Sequence, residues 1–411
     1  MLASLLLPLL VLLREAQTTA ANDGNTIIAK ENQKTLFSKP ISLKPGHVFR
    51  DHIDIECPPG IIGITAFGAD LVHHGGERDG QPVPLSHTYL HHWTVQQRHK
   101  HNSGFCWEVT PSPLTLEYLL GVGSESRRTT ADFPPPYALV VDDRDTWWVD
   151  LHAIDLRNTV DSLACRECLC TEFPPRSDLP EDYIGGLDCC VGDSTPCRVT
   201  NETGAVMDYK LRYNVTWVEG KELEERTPVE MFVMDVTGVF DRKNESHCFI
   251  EYDVPHPPSA YRHDGSNPLP PVSFGENLGV YNSSNSSIEY DDDYFTLKST
   301  FSFDHSGRVV LAIPHLHSGA NFAEVRRKAT GELVCRGDAI YGQGSTPGDE
   351  KGFVVEITTC QEGWSVTRDE EFSFSVQYNT TGGLDEGYSP VAHTGVMGYM
   401  WMALTFDDVK R

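Results

Sequence analysis

The chain has 411 residues, of which 59 are Asp or Glu and 33 are Lys or Arg, giving a formal charge of −26. So large a negative excess excludes a nucleic-acid groove as the main surface and argues against adhesion to anionic lipid. The length is enough for two domains.

Met1 to Leu13 form an uncharged apolar run, ended by Arg14 and Glu15 and followed by the small residues Ala16, Ala20 and Ala21. The run is too short to span a bilayer and fits a signal-peptide core, so residues 1–21 are expected to be removed and the protein secreted. No later stretch is apolar enough to act as an integral membrane segment. Helical periodicity is nearly absent. Short alternating runs split by Gly, Pro, Asn and Asp predict strands at Val48–Glu56, Ile61–Val72, His87–Gln96 and Trp147–Leu156. Further on, Tyr209, Leu211, Tyr213, Val215 and Trp217 alternate cleanly. Strands are then predicted at Glu230–Val239, Cys248–Val254, Tyr294–Phe303, Arg308–His317, Gly352–Thr359, Phe372–Val376 and His393–Thr405.

Many short strands with turn chemistry between them predict an all-β chain of two tandem β-sandwich domains. The polar VTNETGA segment suggests a division into residues 22–205 and 206–411. Residues 255–293 are rich in Pro, Ser, Asn and Asp and read as an irregular insertion. Within them, Asp291–Asp293 reads as a solvated acidic turn rather than a calcium loop.

Six N-x-S/T triplets, at Asn201, Asn214, Asn244, Asn282, Asn285 and Asn379, suit a secreted glycoprotein. The eleven cysteines are Cys57, Cys106, Cys165, Cys168, Cys170, Cys189, Cys190, Cys197, Cys248, Cys335 and Cys360. In an oxidising compartment most are expected to pair, the odd count leaving one free or intermolecular thiol, and the crowded 165–197 stretch reads as a disulfide-knotted loop rather than a zinc site.

Seventeen histidines include three placements of chemical interest. His91 and His92 lie in HTYLHHWTV, His152 in WWVDLHAIDL, and His315 and His317 in VVLAIPHLHSG. Histidines at i and i+2 on a strand project from one face, which suits two imidazoles on one metal. Adjacent His91 and His92 would diverge on a regular strand, so a bulge must re-aim one of them. The pairs His73-His74 and His99-x-His101 sit in polar context and read as loop histidines.

The segments VPLSHTYLHHWTV, NSGFCWEV, GVGSESRRT, WWVDLHAIDLR, CRECLC, GGLDCC and HTGVMGYM resemble the plant stress up-regulated nodulin-type (SURNod) family over nearly the whole mature chain. That family's name records expression and implies no reaction. A more distant pattern is similar to the copper type II, ascorbate-dependent monooxygenases, which have two jelly-roll domains. This second resemblance implies two copper ions, one held by His91, His92 and His152 and the other by His315, His317 and Met397. Imidazole and thioether serve both copper(I) and copper(II). Met400 and Met402 would face away from Met397 on a strand. In the peptidylglycine enzymes an Arg two residues before H-x-H and a Tyr four after the Met hold the substrate carboxylate. Ile313 and Trp401 stand at those positions here, so peptide amidation is not expected, and the resemblance implies an apolar or aromatic small-molecule substrate beside Ile313 and Trp401. Ascorbate would be the reductant. The competing reading is a non-catalytic extracellular binding or wall-associated glycoprotein that keeps the fold.

Overall fold

The structure is a computed structural model that describes residues 31–98, 118–122, 127–142, 146–160, 162–169, 186, 189–190, 197, 199–200, 204–237, 251–257, 259, 286–381 and 391–407. The signal segment, Asn201, Asn244, Asn282, Asn285, Cys106, Cys170 and Cys248 lie outside these residues, as do His99 and His101.

The first part contains β1 (Asn32–Phe37), β2 (Ile41–Leu43), β3 (Val48–Ile55), β4 (Ile61–His73), β5 (Thr88–Arg98) and β6 (Tyr118–Val122). It continues with β7 (Ala131–Asp132), β8 (Tyr137–Asp142), β9 (Thr146–Asp155), β10 (Met207–Val218) and β11 (Thr227–Pro228). The second part contains β12 (Glu230–Asp235), β13 (Tyr252–Pro255), β14 (Ser286–Tyr290), β15 (Tyr294–Ser302), β16 (Gly307–Leu316) and β17 (Ala320–Arg327). Then come β18 (Leu333–Tyr341), β19 (Val354–Ile357), β20 (Trp364–Val366), β21 (Glu371–Asn379), β22 (Val391–Val396) and β23 (Gly398–Phe406).

Strands β1-β10-β4-β8-β11, with β2 and β7 alongside, form a seven-stranded sheet, and β3-β9-β5-β6 form a four-stranded one. Alternation along β5 and β9 turns Trp93, Val95, Val149 and Leu151 into a core shared with Ile64, Phe67, Leu211 and Tyr213 of the larger sheet. The second sandwich pairs the six-stranded sheet β14-β15-β21-β17-β18-β19 with the four-stranded sheet β12-β23-β16-β20, and β13 pairs with β22. Phe295, Leu297, Phe372 and Phe374 meet Ala312, Met400, Met402 and Leu404 in its core. The all-β, two-sandwich expectation holds.

The division between sandwiches differs from the expected one. Strand β10 follows residue 205 but is hydrogen-bonded to β4 along nearly its whole length and to β1 on the other side. Its clean alternation reflects burial in the first sheet, and the changeover falls between β11 and β12. Part of the expected insertion is also regular: β14 pairs with β15 through a hairpin in which the Asp291 carboxylate accepts the backbone N–H groups of Asp293 and Tyr294. Those bonds make Asp291 a turn-forming residue.

The other face of β12, β16 and β23 belongs to the first core. Ile313, Tyr399, Trp401 and Met231 cluster there with first-sandwich side chains. Ile313 and Trp401 pair across β16 and β23, and both are buried. A Cβ on Gly121 of β6 would come within 2.7 Å of the Trp401 ring, so that glycine lets the indole close on the first sandwich. The expected substrate pocket at Ile313 and Trp401 is therefore packing between sandwiches, because these apolar groups are covered by the opposite sheet.

Disulfides Cys165–Cys197 and Cys168–Cys190 knot the Cys-rich loop, in which Cys189 is also disulfide-bonded, and Cys335–Cys360 ties the second sandwich. The loop packs Cys165, Cys168 and Cys190 on Val48, Tyr89 and Ile154 at one end of the first sandwich. Asn214 is exposed, but the Asn379 amide nitrogen donates to the Gly319 carbonyl at 2.9 Å, which turns that triplet inward.

Candidate metal centre

Strands β5 and β9 deliver three histidines. Leu90 faces Ala153, but His92 faces His152, so β5 carries one extra residue at His91. This is a β-bulge. Leu90 and Trp93 both enter the first core, and the extra residue leaves His91 and His92 together on the outward face. His91 Nδ1 lies 3.3 Å from His92 Nδ1. Ligand atoms of His91, His92 and His152 all lie within 4.8 Å of one another.

Strand β16 delivers His315, and His317 lies just past its end. A slip between Val309 and Leu311 sets its alternation so that Leu311, Ile313 and then His315 face the first sandwich. His317 follows two residues on, and its Nε2 is 3.3 Å from that of His315. Met397 interrupts what the sequence reads as one strand, between β22 and β23. The Tyr378 hydroxyl accepts the His317 backbone N–H at 2.9 Å and donates to the Met397 carbonyl at 2.7 Å, which pins that segment beside the histidine. Met397 clusters on the face of Tyr399 and Trp401, whereas Met400 and Met402 enter the opposite core.

The two histidine sets are not separate, contrary to the expectation of one site per domain. The His91 ring centroid is 4.4 Å from that of His152 and 4.8 Å from that of His317. The facing of the two four-stranded sheets makes one cluster of five imidazoles across the junction.

All five are buried. Burial drives the pKa values of His91, His152 and His315 well below the ordinary imidazole value, reinforced by neighbouring histidines, and lowers His317 to about 3. The neutral imidazole is the metal-binding form. Hydrogen bonds do not explain the burial. His152 is 0% exposed and neither ring nitrogen has a hydrogen-bond partner; His315 Nδ1 has none either. Each such orphan costs about 1–3 kcal/mol, and an unseen ion is one of the few things that would offset it.

Around the cluster, His92 Nε2 lies 3.6 Å from Asp150 Oδ2. Burial raises the Asp150 pKa, but the nearby His92, His52 and Arg50 side chains outweigh it and hold the carboxyl below its ordinary value. A carboxylate behind an imidazole fixes ring orientation and tautomer. His152 also lies within 4.8 Å of the sulfurs of Cys168 and Cys190, but these are bonded to each other and offer no thiolate.

Residues without a strand pattern complete the surroundings. Arg166 and Glu167 of the Cys-rich loop line a small cavity with Tyr89, His91, His317, Ser318, Thr394 and Val396. Glu167 accepts from His393 Nδ1 at 2.9 Å and from the Thr394 backbone N–H at 3.1 Å. Nothing in the spacing of CRECLC marks Arg166 and Glu167 as neighbours of the histidines, because a long-range fold of the loop puts them there. The other expected loop histidines are split: His73 is buried beside Tyr209, and His74 lies near Asp79.

A family model described as SURNod19, stress up-regulated Nod 19, matches residues 29–268 and 278–406. No curated protein matches the chain. Among solved structures, PBCV-1 VP54, fitted into a reconstruction of the virophage Sputnik, aligns over 95% of this chain and 99% of its own. It does so at 7% identity and a TM-score of 0.29.

Proposed function

This chain belongs to the stress up-regulated Nod 19 family, and we propose that it is an extracellular copper protein whose metal centre lies between its two sandwiches. The observation that carries the proposal is His152, fully buried with both ring nitrogens unpartnered inside a cluster of five buried imidazoles. Disulfides in the Cys-rich loop support an oxidising, extracellular setting. A donor set of imidazoles with a nearby thioether fits copper in both oxidation states.

In this reading His91, His92 and His152 hold the metal from the first sandwich and His315, His317 and Met397 from the second. Asp150 orients His92, and Tyr378 fixes the His317 and Met397 backbones relative to one another. Bound copper would supply one-electron redox chemistry and dioxygen activation, with ascorbate as the outside reductant and hydroxylation of a small molecule as the reaction. A second reading, copper binding without turnover, is favoured by the burial of all five rings.

Copper titration with electron paramagnetic resonance tests the proposal. Up to two equivalents should bind, and the integrated copper(II) signal should fall short of total copper as the second enters, because the rings of the two sets touch. No tight copper binding would overturn the proposal. Ascorbate-dependent oxygen consumption by the loaded protein, coupled to product, separates turnover from binding alone.

A further inference from the structure

With Ile313 and Trp401 removed from contact with any substrate, the chemistry of the opening beside the histidines must be read from what lines it. His91 and His317, one from each sandwich, reach the same small cavity. Its two charged residues are Arg166 and Glu167, and they are engaged very differently.

The Glu167 carboxylate is already engaged by its neighbours. It accepts from His393 Nδ1 and the Thr394 backbone, and the Glu167 carbonyl accepts the Thr394 hydroxyl at 3.0 Å. Among the described residues Arg166 has no comparable partner. Its Nη1 donates to the Gly352 carbonyl at a long 3.3 Å, and its guanidinium lies 4.7 Å from the Phe353 ring centroid and 5.8 Å from that of Tyr89. Its Nε is buried without a hydrogen-bond partner. Among the described residues no carboxylate pairs with Arg166, in a chain with 59 acidic and 33 basic residues.

The aromatic rings fix the guanidinium plane, and a planar fork whose Nε has no partner matches a carboxylate. We infer that the cavity binds the carboxylate of a small organic acid, held by Arg166 beside His91 and His317. The cavity holds about one water-sized group, so a carboxylate would enter it oxygen first and the rest of the acid would lie outside. Position beside the metal rests on the copper reading; the carboxylate contact itself does not. The inferred substrate class is thus a small acid, in place of the purely apolar molecule that Ile313 and Trp401 implied.

The test uses the full secreted chain, metal-free and copper-loaded. Acetate is titrated into metal-free protein by calorimetry, with chloride at equal ionic strength as control. Acetate should bind and chloride should not. Arg166→Gln should weaken acetate at least tenfold, and Arg166→Lys should recover part of the loss, while circular dichroism, disulfide content and copper stoichiometry stay at wild-type values. In copper-loaded protein, acetate should also perturb the copper(II) resonance, and Arg166→Gln should need at least tenfold more acetate to do so. Equal acetate affinity in wild type and Arg166→Gln, or equal binding of chloride, would overturn the inference. Failure to load copper would count against the metal reading and leave the metal-free comparison intact.

Discussion

The ion network around Arg127 and the histidine cluster both cross from the first sandwich to the second, but the first is built of opposite charges and the second of imidazoles with the single carboxylate of Asp150 beside them. Arg127 Nε is 3.2 Å from Asp70, its Nη1 is 3.8 Å from Glu350, and its Nη2 donates to the Val83 carbonyl. Glu350 also accepts the backbone N–H groups of Leu85 and Gly348. Five imidazoles lie at the same junction with chiefly one another for company, and neither ring nitrogen of His152 has a hydrogen-bond partner. Burial alone therefore does not mark a functional group. A buried polar cluster that balances itself holds the fold, and one left unbalanced points to something it binds.

Breaking the balanced cluster should have the largest effect on stability. Arg127→Met leaves Asp70 and Glu350 buried without their cation and should cost about 3–5 kcal/mol in denaturant unfolding. Copper bound per folded molecule should not change.

Breaking the unbalanced cluster should do the reverse. His315→Ala with His317→Ala should remove at least one copper equivalent, measured by elemental analysis. Without metal, the double variant should lose less stability than Arg127→Met, because the imidazoles it removes had little to lose. Copper should raise the melting temperature of the wild type, by mass action, and not that of the variant.

A third group, half-buried, sharpens the comparison. Asp253 accepts the Gly395 N–H at 2.9 Å, but burial, together with nearby Glu167, pushes its pKa up from 3.8 to about 6. Between those values the native state holds a proton that the unfolded chain has lost, so stability falls as pH rises through about 6. Asp253→Asn should stabilise the protein by up to about 3 kcal/mol at neutral pH. The gain should vanish below the unfolded value near 3.8, as read from melting temperature against pH.

The smallest change in stability is expected at Met397. Met397→Leu nearly conserves volume and should cost less than about 1.5 kcal/mol. Loss of the thioether should still weaken copper(I) retention against a chelator.

The two halves of the cluster were unequally legible. His315 and His317 follow from strand period alone, and the same alternation sends Met400 and Met402 away from Met397. His91 and His92 required a bulge, which the adjacency of two histidines demands but the sequence does not place; it falls at His91. Most strands are legible as short apolar runs between turn residues; β10 alternates, whereas β4 and β16 are buried along nearly their whole length. Strand β10 was assigned to the wrong sandwich because alternation reports burial and not the partner sheet. The meeting of His91 with His317 and the approach of Arg166 depend on how the sheets and the Cys-rich loop pack, information carried by no local pattern.

The most direct measurement is anomalous diffraction at the copper edge from crystals of copper-loaded protein. The account predicts anomalous density among the five imidazoles, with at least one ion within bonding distance of a His152 nitrogen. Density only at surface sites, or a His152 ring hydrogen-bonded to ordered water with no metal beside it, would contradict the account.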